Sequence, residues 1–337
     1  MPVSNLLIGA LGALLATNQP AALSNLVTQT TGVTVSVINT NDPLALELQK
    51  IEDQDDTAAA EVDGWIRQNQ EFAAKGAGIP KNELNRRIRE KFDASGKAYK
   101  DFIQRHPDYA PARVAYASFL NDLGDEDGEF EQLLKARELD PTIPSVWNNL
   151  GNYYGEHGPL TNAFVCYEKA IQLDPTEPLY YDNFGTTVYL FRKDVREYYH
   201  IEEQQVFDKA LALYRNATRL DPTNFIRASD LAMSYYGIKP LRTNDALAAW
   251  TNALNLAHDE MEREGVYLHF ARINAQIGEF AEAHRRLDSV TNEFYAEMKK
   301  RLTRVLHDKE HPEEATPLGP EPEGIANTAT NSPAKVP

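Results

Sequence analysis

Cysteine is almost missing from this chain of 337 residues: Cys166 is the single example. No intrachain disulfide and no cysteine zinc site can form. Positive charge is also scarce. Lysine and arginine total 34 against 50 acidic residues, a net charge of −16. Such a chain repels phosphate backbones, which excludes nucleic acid as a general partner and favours neutral or basic polypeptides. Glycine is modest at 18, and no glycine-rich phosphate loop or Gly-x-Ser-x-Gly elbow occurs. Long apolar runs are missing too. The longest, residues 6–16, suits a signal-peptide core and is short for a bilayer span. The first cationic side chain is Lys50 and the first acid is Asp42, so this leader lacks a basic flank. No clean small-x-small cleavage site follows it. The apolar length still favours export or membrane tethering over a cytoplasmic location, with membrane contact only through this segment.

What the chain does have is repetition. Pro107, Pro141 and Pro175 each end a helical pattern and stand 34 residues apart. A fourth such proline, Pro222, follows after 47 residues, one period plus an insertion of 13. The clearest unit, 144–177, carries Trp147, Leu150, Gly151, Tyr154, Gly158, Ala163, Tyr167, Ala170, Leu173 and Pro175. Small residues at Gly151 and Ala163 permit two short helices to approach, and the large residues fill the space around the crossing. Gly158 allows the tight turn between them. Pro175 cannot continue a helix and opens the next unit.

This pattern resembles the tetratricopeptide repeat: Trp-x2-Leu-Gly-x2-Tyr, then Ala-x3-aromatic, then Pro. Neighbouring units repeat it with substitutions; Arg113 stands at the tryptophan position of the unit beginning at 110. The resemblance implies an all-α fold, a right-handed α-solenoid of antiparallel helix pairs. Its repeats are placed at 62–109, 110–143, 144–177, 178–224, 225–259 and 264–297. Residues 1–22 form the apolar leader and 23–61 an extended linker, with Val33–Val37 alternating in strand fashion. Residues 301–337 are proline-rich and acidic and are expected to be a disordered tail.

Stacked pairs share one core and present the first helix of each pair to a concave groove. By the family's geometry the groove receives Ser118, Asn121 and Asp122, then Asn148, Asn149 and Asn152. Further along it receives Asp182, Asn183, Thr186 and Tyr189, then Asp230, Met233 and Tyr236, then His269 and Arg272. Asn149 and Asn183 share one repeat position. A primary amide donates and accepts together, so it can grip a peptide bond without reading a side chain. The pair resembles the asparagine ladder in the repeat arm of the O-linked sugar transferase, which implies peptide-backbone binding. Asp122, Asp182 and Asp230 stand where a carboxylate clamp needs cations, so a peptide carrying lysine or arginine suits the groove better than an anionic one.

The resulting expectation is a non-catalytic scaffold for a protein or peptide, with no cofactor and no metal. A structural subunit of a larger assembly is the alternative. A third reading rests on His307, Glu310 and His311, which fit His-x-x-Glu-His of zinc peptidases. Pro312 ends any helix there, and no third ligand follows, so that reading is weak. The insertion around 192–205 either packs as a helix extension or contacts a partner.

Overall fold

The structure is a computed structural model that describes residues 42–313. The leader, most of the linker and most of the tail lie outside them. Fourteen α-helices occur among the described residues, and no strand does. They divide into two compact units, split between Leu173 and Asp174.

The first unit contains α1 (Pro43–Ala74), α2 (Lys81–Arg105), α3 (Ala110–Asp122), α4 (Glu126–Leu139), α5 (Pro144–His157) and α6 (Leu160–Leu173). Three of these begin with proline in the first turn, where its missing N–H costs nothing. Residues 43–61, expected as extended linker, instead form the first half of α1. Asp42 caps it by accepting from the Leu44 amide at 2.9 Å. Leu48 and Ile51 then bury against Tyr99, Phe102, Tyr116 and Phe119. That apolar contact outweighs the charge of the intervening Asp-rich stretch.

The second unit contains α7 (Pro178–Leu190), α8 (Arg192–Tyr199), α9 (Glu203–Leu220), α10 (Phe225–Ser234), α11 (Thr243–Leu256), α12 (Glu260–Ile277), α13 (Phe280–Asp288) and α14 (Ala296–Glu310). Its largest core joins Phe207, Leu211, Tyr235, Trp250, Val266 and Phe270. The 192–205 insertion supplies α8, which packs on its own pair: Val195 is buried and Lys209 lies 4.0 Å from the Tyr199 ring centroid. Helix α14 continues ten residues into the segment expected as tail. Leu306 and the partly buried Met298 and Leu302, four residues apart, hold it against α12 and α13.

Two recurring devices explain the 34-residue period. The turn within a pair places glycine in the left-handed region at Gly124, Gly158 and Gly278, with φ of 73°, 75° and 83°. At the other end, a side chain reaches back to the carbonyl of the preceding turn's proline. Trp147 Nε1 donates to Pro141 at 2.8 Å, Tyr181 Oη to Pro175 at 3.1 Å, and Arg113 Nη2 to Pro107 at 3.2 Å. Arg113 therefore keeps the donor role of tryptophan although the residue type has changed.

The crossing of α5 and α6 is close. A Cβ on Gly151 would sit 2.7 Å from the Tyr167 ring. Cys166 lies buried on α6, and burial pushes its thiol up to about 11, so it stays protonated.

Candidate functional site

In the first unit, α1 and α3 flank a cavity of about 500 Å³. Ser118 and Asp122 of α3 line it, opposite Glu52, Asp55 and Asp56 of α1. Leu48, Phe119 and Ile143 add an apolar part, and among the described residues no lysine or arginine borders it. Burial pushes the Asp55 carboxyl up to about 6, reinforced by Asp122 and Asp56, although Tyr99 and Ser95 hydrogen-bond to it. Glu52 and Asp122 are raised in the same direction, again by burial first and by their acidic neighbours second.

Other inward candidates of this unit are spent inside the fold. The Asn121 amide donates to Glu129 at 2.7 Å, across its own helix pair. Asn152 accepts from the Tyr167 hydroxyl at 2.9 Å, likewise within its pair. Asn148 is buried and donates to the Asn149 side-chain carbonyl at 3.2 Å. Asn149 is half-buried, and among the described residues its side chain is seen to accept only, from Asn148. The acids of α1 were missed in the sequence because a linker was expected there.

In the second unit, Arg227 organises the polar groups. Its guanidinium pairs with Asp182 and lies 2.9 Å from Asp221. The second Asp182 oxygen, Oδ1, and the Ser229 hydroxyl are buried without hydrogen-bond partners. Asp230 is half-buried, and burial pushes its carboxyl up to about 6 against the pull of Arg227. Asn183 is half-buried on α7. The Thr186 hydroxyl lies 3.0 Å from that of Tyr214. Tyr189 packs onto Gly237, where a Cβ would stand 2.4 Å from the phenol oxygen.

Met233, Tyr236, His269 and Arg272 belong more to packing than to an open surface. Met233 and Tyr236 rest on the Trp250 core. His269 stacks on Trp250, with centroids 3.9 Å apart and planes 8° from parallel. Its Nδ1 lies 3.1 Å from the Tyr236 hydroxyl, and Arg272 caps the Tyr236 ring at 4.5 Å. Burial, with Arg272 beside it, pushes His269 down to about 3, so it is neutral at ordinary pH.

The His307 and His311 rings do lie side by side, centroids 4.9 Å apart, but the motif's glutamate turns away from them. Glu310 meets His284 at 2.9 Å, away from the base role the motif required. Among the described residues, no group of three or more His, Cys, Asp or Glu is placed to hold a metal ion. Nor, among them, is any helix long and apolar enough to cross a membrane.

A family model described as tetratricopeptide repeat matches residues 144–177. Residues 144–177 are a tetratricopeptide repeat. Among solved structures, this repeat protein is similar to PilW, a type IV pilus biogenesis factor. The two are 14% identical over 72% of this chain and 97% of that one, with a TM-score of 0.50. It is similar also to pilF of Pseudomonas aeruginosa, 14% identical over 74% and 98% of the two chains, TM-score 0.49. A third is YrrB, 16% identical over 64% and 99%, TM-score 0.47. No curated protein matches the sequence. The PilW likeness extends to the fold.

The four acids of the first unit's cavity carry a stability consequence. Asp55 has a folded-state value above the ordinary carboxylate range. The folded chain therefore prefers the protonated form, and stability is lost as pH rises through about 6. Asp55→Asn is expected to raise stability at pH 7 by on the order of 1 kcal/mol, after allowing for solvent screening. At pH 4 the gain should nearly vanish. Thermal unfolding of both chains at the two pH values checks this; an equal gain at both would contradict it.

Proposed function

We propose that this repeat protein is a non-catalytic scaffold that holds a neutral or basic peptide or protein against the inward-facing side chains of its helix pairs. One observation supports this most: inward repeat positions and α1 together enclose a hollow with an apolar floor and a carboxylate rim. Concave sites with convergent polar groups are where ligands bind. The carboxylates here have no cation of their own, so a lysine or arginine side chain relieves their mutual repulsion. Asn149 serves beside it as a donor for a backbone carbonyl.

The test uses fluorescein-labelled peptides with and without Lys and Arg, titrated against the full chain. Lys/Arg peptides should bind more tightly than their neutral counterparts. Asp55→Asn combined with Asp122→Asn should weaken them by roughly tenfold or more, as for removal of close charge pairs. Asn149→Ala should weaken neutral and basic peptides alike, with helicity by circular dichroism unchanged. Equal binding of acidic and basic peptides would discard the reading.

A further inference from the structure

The last helix is basic in a chain that is acidic as a whole. Helix α14 buries Met298, Leu302 and Leu306, which turns the other side outward. Lys300, Thr303, Arg304 and His307 are exposed there at the spacing of one helix face, with Arg301 half-buried beside them. Several cations elsewhere in this acidic chain find carboxylates: Arg86 meets Glu83 and Glu90, Arg105 meets Glu47, Arg242 meets Asp208. Lys300, Arg301 and Arg304 form no ion pair among the described residues. Among the described residues these three cations, close together on one helix, are left for a carboxylate from outside.

The cavity of the first unit has the matching deficit. Its rim holds Glu52, Asp55, Asp56 and Asp122, with no cation among the described residues bordering it. The spacing agrees as well. Glu52 and Asp56 stand one turn apart on α1, and Lys300 and Arg304 stand one turn apart on α14. A helix lying along that rim sets two rows of charge in register. A second copy of the chain always carries the complementary face, at the same concentration. Contact between unlike patches on identical chains is heterologous, so it propagates head to tail.

We infer that the cationic face of α14 docks into the acidic cavity of a second copy of this chain. This rests on the cavity being a receptor for basic polypeptide, and names the receptor's partner. The interface is electrostatic, so salt weakens it.

The experiment is sedimentation velocity on the full chain over a concentration series, at about 50 mM and about 500 mM NaCl, where screening differs strongly. Concentration-dependent association is expected at low salt and its loss at high salt. Lys300→Glu/Arg301→Glu/Arg304→Glu should reduce the association constant by more than ~10-fold, as should Asp55→Asn/Asp56→Asn/Asp122→Asn. A mixture of these two variants retains one good face on each chain. It should form a one-to-one heterodimer and nothing larger. All the α14 substitutions but Arg301 lie on exposed positions, and circular dichroism confirms folding of each chain.

A wild-type chain that stays monomeric at low salt would overturn the inference, as would association that survives the α14 triple variant. If that variant stays unassociated as wild type does, yet binds Lys/Arg peptide normally, the self-docking fails while the receptor reading stands. If neither chain binds the basic peptide, the receptor reading itself fails.

Discussion

Gly151→Leu should lower the unfolding midpoint by roughly 5–10 °C, the shift that corresponds to a few kcal/mol in a unit of this size. The reason is geometric. A Cβ at this position already falls 2.7 Å from two ring carbons of Tyr167. Tyr167 cannot swing away freely, because it is buried and its hydroxyl donates to Asn152 at 2.9 Å. A branched side chain must separate α5 from α6 or expel the ring. Either outcome opens the close crossing of α5 and α6. Gly185→Ala on α7 is the graded comparison. Its Cβ would meet Tyr214 at 3.3 Å, a contact that a small shift relieves, so its loss should be much smaller. Val165→Leu, on an exposed position of α6, is the neutral control. Differential scanning calorimetry on the four chains checks the order. If Gly151→Leu melts with wild type, the close crossing is wrong.

Arg227→Ala should cost about 3–5 kcal/mol, the loss expected when a shielded ion group is left without one partner. Arg227 and its partners Asp182 and Asp221 have side chains only 13%, 14% and 10% exposed, so solvent replaces little of the lost pairing. Asp230 lies in the same field and is already raised by burial. Removing the guanidinium therefore leaves three carboxylates facing one another. The sign with pH follows from this. Stability of the alanine variant should be lowest at neutral pH, where the acids are ionised. It should recover part of the loss as pH falls through about 6 and below, where Asp230 protonates first. A second chain, Asp182→Asn/Asp221→Asn/Arg227→Met, removes all the charges of the pair network together. It should lie within about 1–2 kcal/mol of wild type, because only Asp230 is left without its counter-charge, and burial already favours its protonated form. Chemical denaturation at pH 5 and pH 7.5 measures both. Equal losses in the two chains would show that Arg227 acts through shape and not through charge.

The regular part of the fold was legible in the residues. Pro107, Pro141 and Pro175 mark the period because proline ends a helix wherever it falls. Gly151 with Ala163 and Tyr167 announce a close crossing, and Gly158 announces the left-handed turn. Arg113 shows how a residue-type comparison can undervalue a position. It looks like a lost tryptophan, yet it donates to the same backbone carbonyl one repeat earlier. Helix α1 was less legible. Its Asp-rich stretch and its position after a threonine- and valine-rich segment pointed to a linker. The contrary signal was present in Leu44, Leu48, Ile51, Ala58 and Val62, which recur at helical spacing behind an Asp-Pro start. Only contact with Tyr99 and Phe119 decides that such a short apolar row is buried.

The candidate site divides in the same way. Ser118 and Asp122 border a hollow, while Asn121 and Asn152 turn to partners inside their own pairs. A repeat position specifies the direction of a Cβ, not which neighbour a flexible polar side chain reaches. His269 and Tyr236 were read as groove residues, and each is instead held by Trp250 and the other.

Sequence alone determined that the chain is helical, repeats every 34 residues, crosses its helices at glycine and carries a large excess of acid. Those properties depend on local sterics and on counting charges, which need no knowledge of distant neighbours. Tertiary structure decided which acids share a cavity, which asparagines are already satisfied, and which cations on α14 find no counter-charge among the described residues. Pairing energy depends on distance and desolvation, and residues far apart in the chain acquire both only when the helices pack.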